Sequence, residues 1–350
     1  MIVIHIGLRK SGSTSLQYFL SANEEALRRV GVEYPRLGRL GRLTQTAHQN
    51  LQCELRGRKA LFDPTRGTIA DVADYWRRSD AHTLILSCEG FEECPTNEAV
   101  RLKALARGRE EFRIVLIIRD LVDLMPSSYG QKIKSGVKHY DFDTFFEQRM
   151  RETRVDYFQI ARNWASAFGW DSLRVRVLDA EHLLNGDLID DFLSLAGVEP
   201  GSAHVRSMER PGIVNVTPGW RVLEALRALY GGWHGLDGDH SLADAADHDL
   251  HKRQDVGFRA MEVGERLGWN AERGRYLTRE QARTCLRTYS DAVAAIGRFA
   301  GDTLPTPPSL EARGFEPRRR IPHSSLIKAD RLRAFYDKVG RLLARGEARP

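Results

Sequence analysis

A chain of 350 residues, 42% of them hydrophobic and 29% charged, is long enough for one large α/β domain with insertions or for two small domains. It holds no run of about 18 or more apolar residues, which excludes a membrane-spanning helix. Its apolar N-terminus also lacks the basic lead of a secretory leader, so a cytoplasmic location is expected. Of the net charge of +6, residues 301–350 carry eleven Lys/Arg against six Asp/Glu; the rest of the chain is nearly neutral, which argues against a nucleic-acid-binding domain.

In chain order, apolar β-rich runs occur at "MIVIHI" (1–6), "GVEYP" (31–35), "HTLILS" (82–87), "FRIVLII" (112–118) and "LRVRVL" (173–178). Continuous Val/Ile/Leu runs suit strands buried on both faces of a parallel sheet. Between them, "SLQYFLSANEEALRRV" and "DTFFEQRMRETRVDYFQIARNWASAF" carry helical spacing of apolar residues. Alternating strands and helices predict a doubly wound α/β fold of about five parallel strands, with ligands at the strands' carboxyl ends. Beyond about residue 200 the pattern turns helical, at 219–230 and about 278–299. A Pro- and Arg-rich linker then leads to a helix at 329–345, with Leu332, Phe335, Val339, Leu342 and Leu343 on one face. That stripe is expected to pack on its own domain, although peripheral contact with an acidic membrane surface is an alternative. The division expected is an α/β domain over 1–300, with its helical acceptor side at about 200–300, and a basic tail over 301–350. Cys53, Cys88, Cys94 and Cys285 form no CxxC pair, so neither a zinc site nor a disulfide framework is indicated.

The chemistry begins in "LRKSGSTSL" (8–16), between the first strand and the first helix. Gly7 and Gly12 have the separation of an ATP-binding Walker A loop, but Ser13 stands where its lysine belongs and Lys10 comes two residues before the second glycine. ATP hydrolysis is therefore disfavoured, while an anion cradle survives. Gly12 admits a close ligand, a helix starting at Ser13, Thr14 and Ser15 turns unpaired N–H groups toward it, and Lys10 and Ser11 add a charge and a hydroxyl. A second anion element lies in "IVLIIRDLVDLMPSSYGQKIKSG", where Arg119 ends the fourth strand and Ser127 follows eight residues later.

Together these two elements resemble the sulfotransferases that use 3′-phosphoadenosine 5′-phosphosulfate (PAPS), and "SSYGQKIKSG" is similar to bacterial carbohydrate-type members. The resemblance has motif support over roughly residues 1 to 180. It implies that Lys10, Ser11, Gly12, Ser13, Thr14 and Ser15 grip the 5′-phosphosulfate and that Arg119 and Ser127 bind the 3′-phosphate. The Arg-Lys-Gly segment of the soluble eukaryotic branch is absent; "MERPGIVNVTPGW" (208–220), with Arg210, is its nearest counterpart. Sulfuryl transfer needs a general base for an acceptor hydroxyl and a cation on the leaving phosphate, and it needs no metal. Lys10 is the expected cation. For the base, Glu89 in "ILSCEGFEECP" resembles the glutamate that follows this strand in the carbohydrate-modifying branch, with Glu92 and Glu93 as bystanders. His48 in "TQTAHQNLQ" is the competing base, and His5 is read as structural.

Three lysines (Lys132, Lys134 and Lys138) offer either steering of an acidic acceptor or a solvated helix face. The segment bearing His234, His240, His248 and His251 with Asp237, Asp239 and Asp247 invites a metal, but His248 stands where a calcium loop needs its final Glu. An acidic loop over the acceptor site is the preferred reading. The expected activity is transfer of a sulfuryl group to a carbohydrate or other small-molecule hydroxyl. The rivals are a P-loop-like kinase of a small metabolite, a non-catalytic nucleotide-binding protein, and a nucleic-acid binder acting through the tail.

Overall fold

The computed structural model describes residues 1–40, 46–108, 110–137, 140–210, 218–230, 250–272, 274–301, 304–318, 323 and 326–344. Five strands, β1 (Ile2–His5), β2 (Val32–Glu33), β3 (Thr83–Ser87), β4 (Phe112–Ile118) and β5 (Leu173–Val177), form one all-parallel sheet in the order β2-β3-β1-β4-β5. The α/β class expected from the alternating runs is the observed one, with helices making up the C-terminal region.

Hydrophobic patterning tracks position in the sheet. Every residue of the central strand β1 is buried, which demands apolar side chains on both faces. At the edge, β5 alternates buried Leu173, Val175 and Val177 with the half-buried Arg174 and Arg176. One face is covered by the helices Ser13–Ala22 and Leu188–Leu195, whose Leu16, Phe19, Leu20, Ile189, Phe192 and Leu193 meet Val3, Ile85, Val115 and Ile117. The helix Tyr157–Phe168 packs on β4 and β5. Strand order reverses at β1, whose neighbours β3 and β4 lie on either side, and in open α/β sheets ligands bind at the strands' carboxyl ends beside such a point.

The chain divides into two compact units. The first comprises Met1–Asp120, Glu152–Val214 and Arg287–Pro307 and contains the whole sheet. The second comprises Leu121–Arg151, Asn215–Leu286 and Pro308–Pro350, and its described elements are helical. Within the second unit, the helix Ala329–Ala344 buries Leu332, Phe335, Tyr336, Val339 and Leu342. Phe335 stacks on Trp269 with ring centroids 5.0 Å apart, and the Tyr336 hydroxyl donates to the Ala225 carbonyl at 2.9 Å. The apolar stripe thus packs on its own unit and leaves Leu343 half-buried at its margin. No helix among the described residues is long and apolar enough to cross a membrane.

Candidate active site at the end of β1

The loop after β1 stays tied to the sheet before it turns. Leu8 N–H donates to the Ile117 carbonyl at 2.9 Å, and Ile117 N–H donates to the Gly7 carbonyl at 2.8 Å. The loop then folds back on itself. Ser11 N–H and the Ser13 hydroxyl both donate to the Leu8 carbonyl, at 3.3 and 2.9 Å. Two residues take left-handed conformations, Lys10 at φ 67° and Gly12 at φ 82°. Glycine suits the second position for two reasons: the conformation strains other residues, and a Cβ there would lie 2.3 Å from Leu188 Cδ2.

Helix Ser13–Ala22 begins at Gly12 with no capping side chain, and its first intrahelical bond is from Leu16 N–H to the Gly12 carbonyl at 3.1 Å. The N–H groups of Ser13, Thr14 and Ser15 therefore lack intrahelical acceptors and carry the positive end of the helix dipole. Thr14 is exposed and Ser15 half-buried. Ser11 is fully buried, and its hydroxyl has no hydrogen-bond partner among the described residues. An anion seated at this turn would accept from those N–H groups, so the residues present fit a phosphate-type group. At the end of β4, Arg119 Nη1 donates to the Lys10 carbonyl at 3.2 Å, and the Arg119 carbonyl accepts from the Tyr157 hydroxyl at 2.8 Å. Arg119 thus braces the loop.

Glu89 opens the short 3-10 turn Glu89–Glu93 that follows β3. Its backbone lies against the loop: a Cβ on Gly7, itself at φ 111°, would sit 3.2 Å from the Glu89 carbonyl oxygen. The half-buried Glu89 carboxylate accepts from Gln17 Nε2 at 2.8 Å. Glu92 and Glu93 are not bystanders. Arg9 Nη1 reaches Glu92 Oε1 at 2.6 Å and Glu93 Oε1 at 2.7 Å, while Arg9 N–H donates to Glu92 Oε2 at 3.1 Å. Arg154 pairs with both carboxylates, and Arg58 Nη2 reaches Glu93 Oε2 at 2.5 Å. Burial works to raise the Glu93 carboxyl, but Arg9, Arg154 and Arg58 hold it down at about 2. Burial opposes the Arg9 charge as well, and Glu92 and Glu93 outweigh it. This network clamps the phosphate-type loop to the turn that bears Glu89.

His48 is not available as a base. It is fully buried, its Nδ1 accepts from Ser87 N–H at 3.1 Å, and its Nε2 faces the Pro35 carbonyl at 3.1 Å. Both ring nitrogens are engaged, and burial, with Arg39 nearby, pushes the imidazole down to about 3. Its role is to pin the connection after β2 to the end of β3. His5 is likewise buried and neutral, with Nδ1 paired to Ser87 Oγ at 2.7 Å.

The remaining candidates fall elsewhere. Ser127 lies on the helix Leu121–Lys134 in the second unit, where it is 8% exposed, so the first unit brings together Lys10, the cradle, Arg119 and Glu89 without it. Lys134 is buried, with its ammonium 5.4 Å from the Phe258 ring, and burial lowers its pKa; it is neither a solvated face nor a steering charge. Lys132 is half-buried, and Lys138 lies outside the described residues. Arg210 is held by Asp187 at 2.8 Å and by Asp190 at the start of helix Leu188–Leu195. Residues 211–217 and the His/Asp segment 231–249 are also outside the described residues, and nothing is assigned to the side chain of His251. No group of three metal-ligating side chains occurs among the described residues.

Gln17 and Arg9 are the site residues that motif reading missed. Gln17 had a faint signal, since it falls one helical turn after Ser13 and so faces the same side as the cradle. Compared with known proteins, the chain matches no family model, no curated protein and no solved structure.

Proposed function

We propose that the chain is a sulfotransferase that uses PAPS as donor and a hydroxyl-bearing small molecule, of carbohydrate type, as acceptor. One observation carries the reading: a left-handed loop with Lys10 at its turn packs against the backbone of Glu89, whose carboxylate is bonded to Gln17 of the helix that the loop starts, at the carboxyl ends of the adjacent strands β1 and β3. Phosphate cradles are common and exposed carboxylates are common, but here half-buried arginines clamp the loop to the turn that bears the proposed base, which suits sulfuryl transfer. The position of Ser13 adds support. Its hydroxyl closes the loop onto Leu8 where an ATP-binding loop would send a lysine to the β- and γ-phosphates.

Bound PAPS supplies an activated sulfuryl group, whose sulfur forms a bond to the acceptor oxygen as its bond to the bridging phosphate oxygen breaks. Glu89 takes the proton from the acceptor hydroxyl. Lys10 and the N–H groups of Ser13, Thr14 and Ser15 face the charge left on the 5′-phosphate, while Arg119 keeps the loop in shape. Arg119, at the end of β4, is the proposed 3′-phosphate contact.

Calorimetric titration with adenosine 3′,5′-bisphosphate, beside ATP with magnesium, tests this. Bisphosphate binding in the wild type that is lost in Lys10→Ala, and retained in Glu89→Ala while PAPS turnover disappears, is the expected outcome. Binding of ATP with magnesium and not of bisphosphate would replace the reading with a small-metabolite kinase. Bisphosphate binding without turnover would leave a nucleotide-binding protein whose carboxylate is idle.

A further inference from the structure

Glu89 has a partner that the proposed chemistry does not use. Gln17 lies on helix Ser13–Ala22, 4% exposed, and its Nε2 donates to Glu89 Oε2 at 2.8 Å and to Ser87 Oγ at 3.2 Å. A carboxylate only accepts hydrogen bonds, so the amide nitrogen of Gln17, not its oxygen, must face Glu89. Because Ser87 Oγ accepts from Gln17, its own proton is free to go to His5 Nδ1, 2.7 Å away. His5 and Ser87 are register partners across β1 and β3. The relay therefore starts on two central strands and ends on the half-buried carboxylate.

We propose that Gln17 is a positioning residue for the general base: it fixes one carboxylate oxygen of Glu89, leaves Oε1 to take the acceptor proton, and ties the base to the helix whose N-terminus cradles the donor. The assignment of Glu89 as base rests on the sulfotransferase reading; the tether itself does not. Gln17 is placed to do two things at once. It removes rotational freedom from the carboxylate, and it anchors that carboxylate to the helix that begins at Gly12. Arg9 from the loop, Tyr34 after β2 and the adjacent Cys88 thiol are among the groups within electrostatic reach of Glu89. Burial pushes Tyr34 and Cys88 upward, so both stay neutral at physiological pH, and Arg9 is bonded to Glu92 and Glu93. Gln17 is a neutral donor that holds Glu89 directly.

The test compares wild type with Gln17→Leu, which keeps the volume and removes the donor. Ser87→Ala, which loosens the relay one step back, is the second variant in case the first does not fold. PAPS with water as acceptor is the probe reaction. In Gln17→Leu, kcat is expected to fall about tenfold with bisphosphate affinity unchanged. Ser87→Ala should lower kcat by less. A readout independent of turnover is the proton resonance of the Gln17 side-chain amide, expected to shift in Glu89→Ala. Turnover that falls only in step with melting temperature, or bisphosphate affinity lost along with kcat, would overturn the proposal. So would an amide resonance indifferent to Glu89→Ala. Wild-type protein that neither binds bisphosphate nor consumes PAPS would instead overturn the sulfotransferase reading, and the amide resonance then decides the tether alone.

Discussion

At Gly12, two demands meet in one residue: a left-handed backbone at φ 82° and a Cβ position 2.3 Å from Leu188 Cδ2. Gly12→Ala is therefore expected to cost about 1–3 kcal/mol, from backbone strain and displacement of Leu188, and to weaken bisphosphate binding. Denaturant unfolding and calorimetry check the two effects separately. The buried histidines carry a pH signature. His5 and His48 sit at about 3 in the folded protein against an ordinary 6.5, with burial as the leading cause. The unfolded chain takes up protons first, so the stability present above 6.5 is lost as pH falls toward 3. In His48→Gln, the slope of stability against pH between 6 and 4 should be shallower than in wild type, read from urea midpoints at each pH. Contiguous residues of the cradle were legible in the sequence because their chemistry is local. The Glu89 tether was not, because Gln17 and Glu89 stand 72 positions apart and meet only across two strands.

Elements show the same division. All five strands stand where the β-rich runs predict them; β1, β3 and β4 lie inside the sheet and read as near-continuous apolar runs, while the edge strand β5 shows alternation. Helix boundaries depended on tertiary partners. The apolar periodicity of residues 15–30 predicts one helix, yet the chain breaks at Asn23 into Ser13–Ala22 and Glu24–Arg29. Asn23 explains the break: its Nδ2 donates to the Glu209 carbonyl at 2.8 Å and its Oδ1 accepts from Glu209 N–H at 2.8 Å, bonds to a segment 186 residues away. The C-terminal helix illustrates a stripe that was legible and a partner that was not. Phe335, 1% exposed and stacked on Trp269, is expected to cost about 3–5 kcal/mol on truncation to alanine, lowering the midpoint of the transition that reports on the second unit. An unchanged midpoint would mean that the helix contributes nothing to that unit.

On the scale of the whole molecule, the two units carry opposite responses to pH. In the second unit Glu224, 1% exposed, is pushed up to about 7 by burial, against the pull of Arg227, whose Nε lies 2.7 Å from its carboxylate. Its folded value exceeds the unfolded 4.5, so this unit loses stability as pH rises from about 4.5 through 7, on the order of 3 kcal/mol. The first unit, with His5 and His48, loses stability in the acid direction. Hydrogen-exchange protection, corrected for intrinsic rates, should therefore fall in helix Trp220–Tyr230 between pH 5 and pH 8 while rising in β1 and β3. Glu224→Gln should abolish the first change and leave the second. The tail's basic character is partly absorbed within the second unit, where Arg318 reaches Asp143 at 2.9 Å.

What the sequence by itself determined are the features whose physics is short-range: strand runs, the glycine and hydroxyl spacing of the cradle, an arginine at a strand end, and an amphipathic terminal helix. Only the tertiary structure decided that Glu89 is bonded to Gln17, that His48 is enclosed with both nitrogens engaged, and that Arg9, Glu92 and Glu93 clamp the loop in place. Burial and cross-strand pairing govern those outcomes, and both depend on residues that a linear reading keeps far apart.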